Sequence, residues 1–248
     1  MQIKDYWLGL EVDATEIVER TSSECNRSLS VLTSAFNLYS EALARIPQSG
    51  NGEATIARLA ILSHNLNSFH VMISSATRGF YIQSLVPLRH TYENWLSFWY
   101  LAKFPEEAFR WLDPTWEMRP PKAETMLKKI DHPSELSQSK LREFYAELNR
   151  SAHTDPAVVL SRLDRQDDKT LIGIGIRFDP EDFQACAYGL SLWIGNFLDA
   201  VSSFVPQADD WHDIHKTVGE EILSLIEEYN LHRGAGHLQP NHKDPDVG

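Results

Sequence analysis

Apolar residues recur along this chain at steps of four and three. Cys25, Leu29, Leu32, Phe36, Tyr39 and Leu43 make one such series, and Cys186, Leu190, Trp193, Phe197, Val201 and Phe204 another. Among regular structures, an α-helix at 3.6 residues per turn puts such positions on one face, so the spacing predicts helices that bury one side against each other. Further stripes place helices over Glu53–Arg78, with Leu59, Leu62, Leu66, Phe69, Ile73 and Ala76 inward, and over Phe80–Phe104, with Leu85, Leu88, Tyr92, Trp95 and Trp99 inward. Pro87 falls inside the second of these and should kink it or mark its first turn, because proline lacks the amide hydrogen and clashes with the preceding turn. Asp13 followed by Glu16 resembles a helix start, and Asp179-Pro180-Glu181-Asp182 combines a cap, a first-turn proline and two acids at the positive end of the dipole.

Short helices are expected at Pro105–Leu112 and around Ala123–Ile130, and a longer one at Pro133–Ala152. A last helix should run from Ala208, with Trp211, Ile214, Val218, Ile222, Leu225 and Tyr229 inward, to a stop at His232-Arg-Gly-Ala-Gly. Between them, Val158–Leu163 and Thr170–Phe178 are rich in β-branched residues and flank Arg165-Gln-Asp-Asp-Lys, which suggests a small inserted hairpin. The reading is an all-α bundle of about five or six long helices. Residues 1–233 form one domain, and 234–248 a polar tail expected to be mobile.

Charge and cysteine content then restrict the function. With 23 Lys and Arg against 35 Asp and Glu, the net charge of −12 argues against a protein that coats DNA, since phosphate neutralisation needs surplus cations. Cys25 and Cys186 sit in apolar helical patterns without metal or disulfide spacing, which suits a reducing cytoplasm. No apolar run reaches the ~18 residues of a membrane span, and the N-terminal stretch lacks the apolar segment of a signal peptide. Glycine-rich phosphate loops, nucleophile elbows and Cys-x-x-Cys pairs are absent from the sequence. No cofactor or metal is expected: His212 and His215 are three apart on a helix, but further ligands would have to come from a folded-back tail.

What remains is polar residues on apolar stripes. Ile82, Val86, Arg89, Glu93, Leu96 and Tyr100 continue one stripe, so an Arg and a Glu one turn apart interrupt an apolar face. If buried, they should pair, because an isolated buried charge costs several kcal/mol. His153 closes the helix that carries Tyr145, where the helix C-terminus favours a charged imidazole able to exchange a proton or contact an anion. Tyr92 and Tyr145 accompany these three as candidate ligand contacts. Trp95, Phe98, Trp99 and Tyr100 are assigned to core packing. Arg58 and His64 fit the Arg-x(4–6)-His pattern of HEPN ribonucleases, but matches of that kind are expected by chance and a six-residue step puts the two on different helix faces.

The stretch Leu88-Arg-His-Thr-Tyr-Glu93, then Pro105-Glu-Glu-Ala, then Tyr145-Ala-Glu-Leu-Asn-Arg-Ser-Ala-His153 resembles uncharacterised bacterial all-helical families, some of them near the HEPN-like group. There an Arg-x-x-x-Glu helix is followed by a Tyr-x-x-x-Ser-x-x-x-His helix end; this chain has Asn149 in place of the Ser. The resemblance covers about a third of the chain. It implies an all-helical fold and a shared polar site of Arg89, Glu93 and His153, without carrying over nuclease activity. The expected function is therefore a cytoplasmic ligand or interaction site on those residues, taking a small anionic ligand. The alternatives are a metal-independent ribonuclease acting on RNA and a non-catalytic homodimeric scaffold.

Overall fold

The computed structural model describes residues 3–46, 52–115, 117–130, 145–146, 148, 163–166, 169–172, 176–207 and 210–236, without the side chains of 3–8, 163–166, 169–172 and 232–236. The fold is all-α. The helices are α1 (Ile3–Glu24), α2 (Asn26–Arg45), α3 (Glu53–Thr77), α4 (Tyr81–Leu85), α5 (Leu88–Lys103), α6 (Phe109–Leu112), α7 (Ala123–Lys129), α8 (Pro180–Ser202) and α9 (Trp211–Gly236), with a 3-10 turn at Pro105–Glu107. Two four-residue strands, β1 (Leu163–Gln166) and β2 (Lys169–Ile172), pair antiparallel with Leu163 opposite Ile172. They include Arg165, Gln166 and Lys169, which the sequence pattern assigns to the turn. Among the described residues, no helix is long and apolar enough to cross a membrane.

The core lies among α2, α3, α5, α8 and α9. Tyr39, Phe69 and Phe197, each wholly buried, meet edge to face with ring centroids 5.5–6.1 Å apart. Burying a side chain of this kind contributes roughly 1.5–3 kcal/mol, and the edge-on geometry adds to it. Two polar atoms carried into this core are satisfied: the Tyr39 hydroxyl donates to the Leu62 carbonyl at 2.7 Å, and the Trp211 indole to the Leu38 carbonyl at 3.1 Å.

Helix boundaries follow local chemistry at two places. Asp179 caps α8, its carboxylate accepting from the amides of Glu181 and Asp182. Pro87 divides the expected third helix: α4 ends at Leu85, and α5 begins behind the proline, whose carbonyl accepts from both the amide and the hydroxyl of Thr91. Gly79, with φ +82°, turns the chain out of α3, and a Cβ placed there would lie 2.5 Å from the Arg177 carbonyl oxygen.

Three expectations need correction. Asp13 does not start a helix, because α1 already runs from Ile3 and Asp13 lies in its interior. Gly234 does not stop the last helix, which continues through it to Gly236. Ile214 is exposed while Trp211, Val218, Ile222 and Leu225 are buried, so the inward face of α9 is narrower than its apolar pattern. Most of the expected helix at Pro133–Ala152 and residues 237–248 lie outside the described residues.

Candidate functional site

The candidate site grows from the first two turns of α5. Leu88, Tyr92 and Trp95 face the core from this helix. One residue further on is a step of about 100° around the helix, so Arg89 and Glu93 stand on the flank of that buried stripe. Their side chains keep 34% and 31% exposure. This corrects the expectation of a sequestered pair: the stripe Ile82–Tyr100 passes from an exposed Val86, through a half-buried pair, to a buried Leu96 and Tyr100.

The pair is nevertheless organised. Arg89 Nε donates to Glu93 Oε1 at 3.3 Å, and the Tyr145 hydroxyl donates to the same oxygen at 2.6 Å. The Arg89 guanidinium also stands 5.9 Å from the centre of the Tyr145 ring, within cation–π range. Tyr145 in turn stacks on Tyr92 with centroids 5.5 Å apart and planes 29° from parallel. Tyr92 meets the edge of Trp193 of α8 at 5.8 Å, so the polar group is tied to the core through aromatic contacts. Four of the five expected residues, Arg89, Tyr92, Glu93 and Tyr145, therefore converge. His153, the fifth, lies outside the described residues.

Electrostatics follow from this packing. Burial, with the neighbouring Tyr145 oxygen, pushes the Tyr92 phenol up to about 12. Burial also raises Tyr145, reinforced by its hydrogen bond to Glu93, so both phenols are neutral donors at pH 7. Burial works against the charge of Arg89, but Tyr145 and Glu93 more than offset it and hold the guanidinium above its ordinary value.

Beside this group lies a pocket of about 290 Å³. Its walls are Tyr92 and Leu96 of α5, Tyr145, and Ala123 and Leu127 of α7, with Glu124 and Lys128 on the α7 side. The volume lies at the small end of ligand sites, and the combination of aromatic walls with a few charged groups is typical of them. Sequence reasoning missed the α7 wall, because Leu127 and Ala123 belong to a seven-residue helix with no long-range signal.

Other polar candidates go elsewhere. Arg58 and His64 do not act as a pair: the Arg58 guanidinium sits over the rings of Phe98 and Phe204, at 4.2 and 4.7 Å, and burial lowers its pKa. His64 instead meets His90 of α5, with the two Nε2 atoms 3.1 Å apart. Partial burial, then the neighbouring His64, lowers the His90 pKa, with Glu93 opposing. His212 and His215 flank Trp211, one edge-on at 5.3 Å and the other stacked at 4.8 Å, and His215 Nε2 lies 3.2 Å from Asp199 Oδ1. Among the described residues, no group of three or more His, Cys, Asp or Glu is placed to hold a metal.

Comparison of the chain with protein-family models, with curated proteins and with solved structures gave no match.

Proposed function

We propose that this protein is a small-molecule binding protein of the cytoplasm, with its ligand in the pocket between Tyr92, Tyr145 and α7. The observation that carries this reading is the shared Glu93 oxygen, which accepts from Arg89 and Tyr145 and so fixes the ring that forms one pocket wall. Rigid aromatic walls select a flat, largely apolar ring, because burying it needs little ordering of the protein. Lys128 supplies a cation for an acidic substituent, and Arg89, held by Glu93, adds positive charge 5.9 Å from the centre of the Tyr145 ring. In this reading His153 would share a proton with such an acid. We further read β1 and β2 as a small hairpin inserted between bundle helices, and the chain as a homodimer with Leu223 and Leu231 as exposed apolar residues of α9. Light scattering, before and after substitution of those leucines, tests the dimer.

Ligand-detected NMR with benzoate and with indole tests the pocket directly. Binding of benzoate should exceed that of indole and fall at least tenfold in Ala123→Phe, which fills the pocket from one wall, and in Lys128→Ala. Equal binding by wild type and Ala123→Phe would overturn the assignment.

The runner-up, a metal-independent ribonuclease centred on His153, predicts RNA cleavage in the presence of a chelator and its loss in His153→Ala. The net charge of −12 and the separate employment of Arg58 and His64 favour binding over cleavage.

A further inference from the structure

The strongest feature outside that pocket is the meeting of His64 on α3 with His90 on α5. Both residues are exposed, their Nε2 atoms are 3.1 Å apart, and their rings stand at 86° with centroids 5.2 Å apart. A hydrogen bond between neutral imidazoles at a solvent-exposed position contributes little to folding, since water offers both rings equivalent partners. Fold stability therefore does not demand this convergence. The same convergence is what chelation of a metal ion requires. Two imidazole nitrogens bound at 2.0–2.1 Å to one ion, with an angle between square-planar and tetrahedral, are separated by roughly 2.8–3.4 Å. The observed separation falls inside that bite.

The crossing that carries the two rings is pinned. Asn65, next to His64 and wholly buried, donates to the Ile61 carbonyl at 2.8 Å and accepts from the Asn94 amide at 3.2 Å. Asn94 lies one turn beyond His90, so a half-buried amide contact fixes α3 against α5 beside the imidazoles. The rings start from backbones already held at the chelating distance and lose little freedom on binding an ion. Glu93 is occupied by Arg89 and Tyr145 and is not counted as a ligand.

We propose that His64 and His90 form a bidentate, solvent-open site for a borderline divalent transition-metal ion, with water completing the coordination. Imidazole ligands suit Cu(II), Ni(II) and Zn(II), and Cu(II) should bind the most tightly of the three. The site is distinct in residues from the aromatic pocket, and its failure would leave that reading untouched.

The test uses the full chain with His232, His237 and His242 changed to Ala, so that other imidazoles near the C-terminus do not compete. Zn(II) affinity is measured by competition with a chromophoric chelator, and Cu(II) is added for electron paramagnetic resonance. The expected result is one site whose Cu(II) spectrum carries two imidazole nitrogens. Zn(II) affinity should fall about tenfold or more in His64→Ala and equally in His90→Ala, with the double variant little worse than either, because a chelate is lost with its first arm. His212→Ala and His215→Ala should leave it unchanged. His64→Phe and His90→Phe keep an aromatic ring without a donor nitrogen and should reproduce the loss with unaltered circular dichroism. Affinity unchanged in either single variant, a loss confined to one of them, or a spectrum with one nitrogen would overturn the proposal.

Discussion

Tyr145 donates its phenolic hydrogen to Glu93 Oε1 at 2.6 Å, joining residues 52 positions apart in the chain. The same oxygen receives Arg89, so one carboxylate organises a cation and a phenol around it.

Because both members of the Arg89–Glu93 pair are about one-third exposed, breaking it should cost far less than the ~3–5 kcal/mol of a buried pair. Glu93→Ala and Tyr145→Phe should each lower stability by about 1 kcal/mol, and Arg89→Ala by less. Urea denaturation of the three variants checks this, and a loss above about 3 kcal/mol for Glu93→Ala would place the pair in the interior after all.

Gly79→Ala should be among the most damaging single-methyl changes in the molecule. The left-handed φ disfavours any Cβ, and the Arg177 carbonyl oxygen stands 2.5 Å from where that Cβ would sit, so about 2–4 kcal/mol is expected. Thermal unfolding measures it, with Gly219→Ala, whose Cβ meets nothing within 4 Å, as the tolerated control.

Both thiols should be inert in the folded protein. Cys25 and Cys186 are buried and free, and burial pushes the Cys186 thiol up to about 11 and raises Cys25. The reactive thiolate is therefore scarce at pH 8 as well as inaccessible. A chromogenic disulfide reagent should report no fast-reacting thiol before denaturant is added and two afterwards.

Alkaline pH should unfold the protein partly through Tyr92. Its folded pKa of about 12 lies above the ordinary value of 10.0, so its neutral form is favoured by folding. The contribution is complete below pH 10 and is lost as pH rises from 10 towards 12, amounting to roughly 2 kcal/mol. Tyr92→Phe should flatten the fall in stability over that window, measured by denaturant midpoints at successive pH values. An unchanged slope would contradict the assignment.

The sequence revealed the helices because apolar periodicity is a local property. α3, α5 and α8 lie where their four-and-three spacing and their flanking Pro87 and Asp179 put them. Periodicity reports which residues can share a face, though, and not how deeply that face is covered. Arg89 and Glu93 lie on an apolar stripe in sequence, yet Leu88 and Tyr92, one residue earlier, take the fully covered positions. The meeting of His64 with His90, and of Leu127 with Tyr92 across a pocket, depends on how separate helices cross. That is set by the volumes of many side chains together and leaves no pattern within either segment.

The backbone turn at Gly79 ties the exit of α3 to the segment leading into α8, almost a hundred positions later. Across evolutionary time, neighbouring apolar side chains can drift among shapes of similar size, whereas this spot tolerates one amino acid. Distant kin that preserve the same topology should therefore betray themselves by a glycine there, even where little else of the text survives.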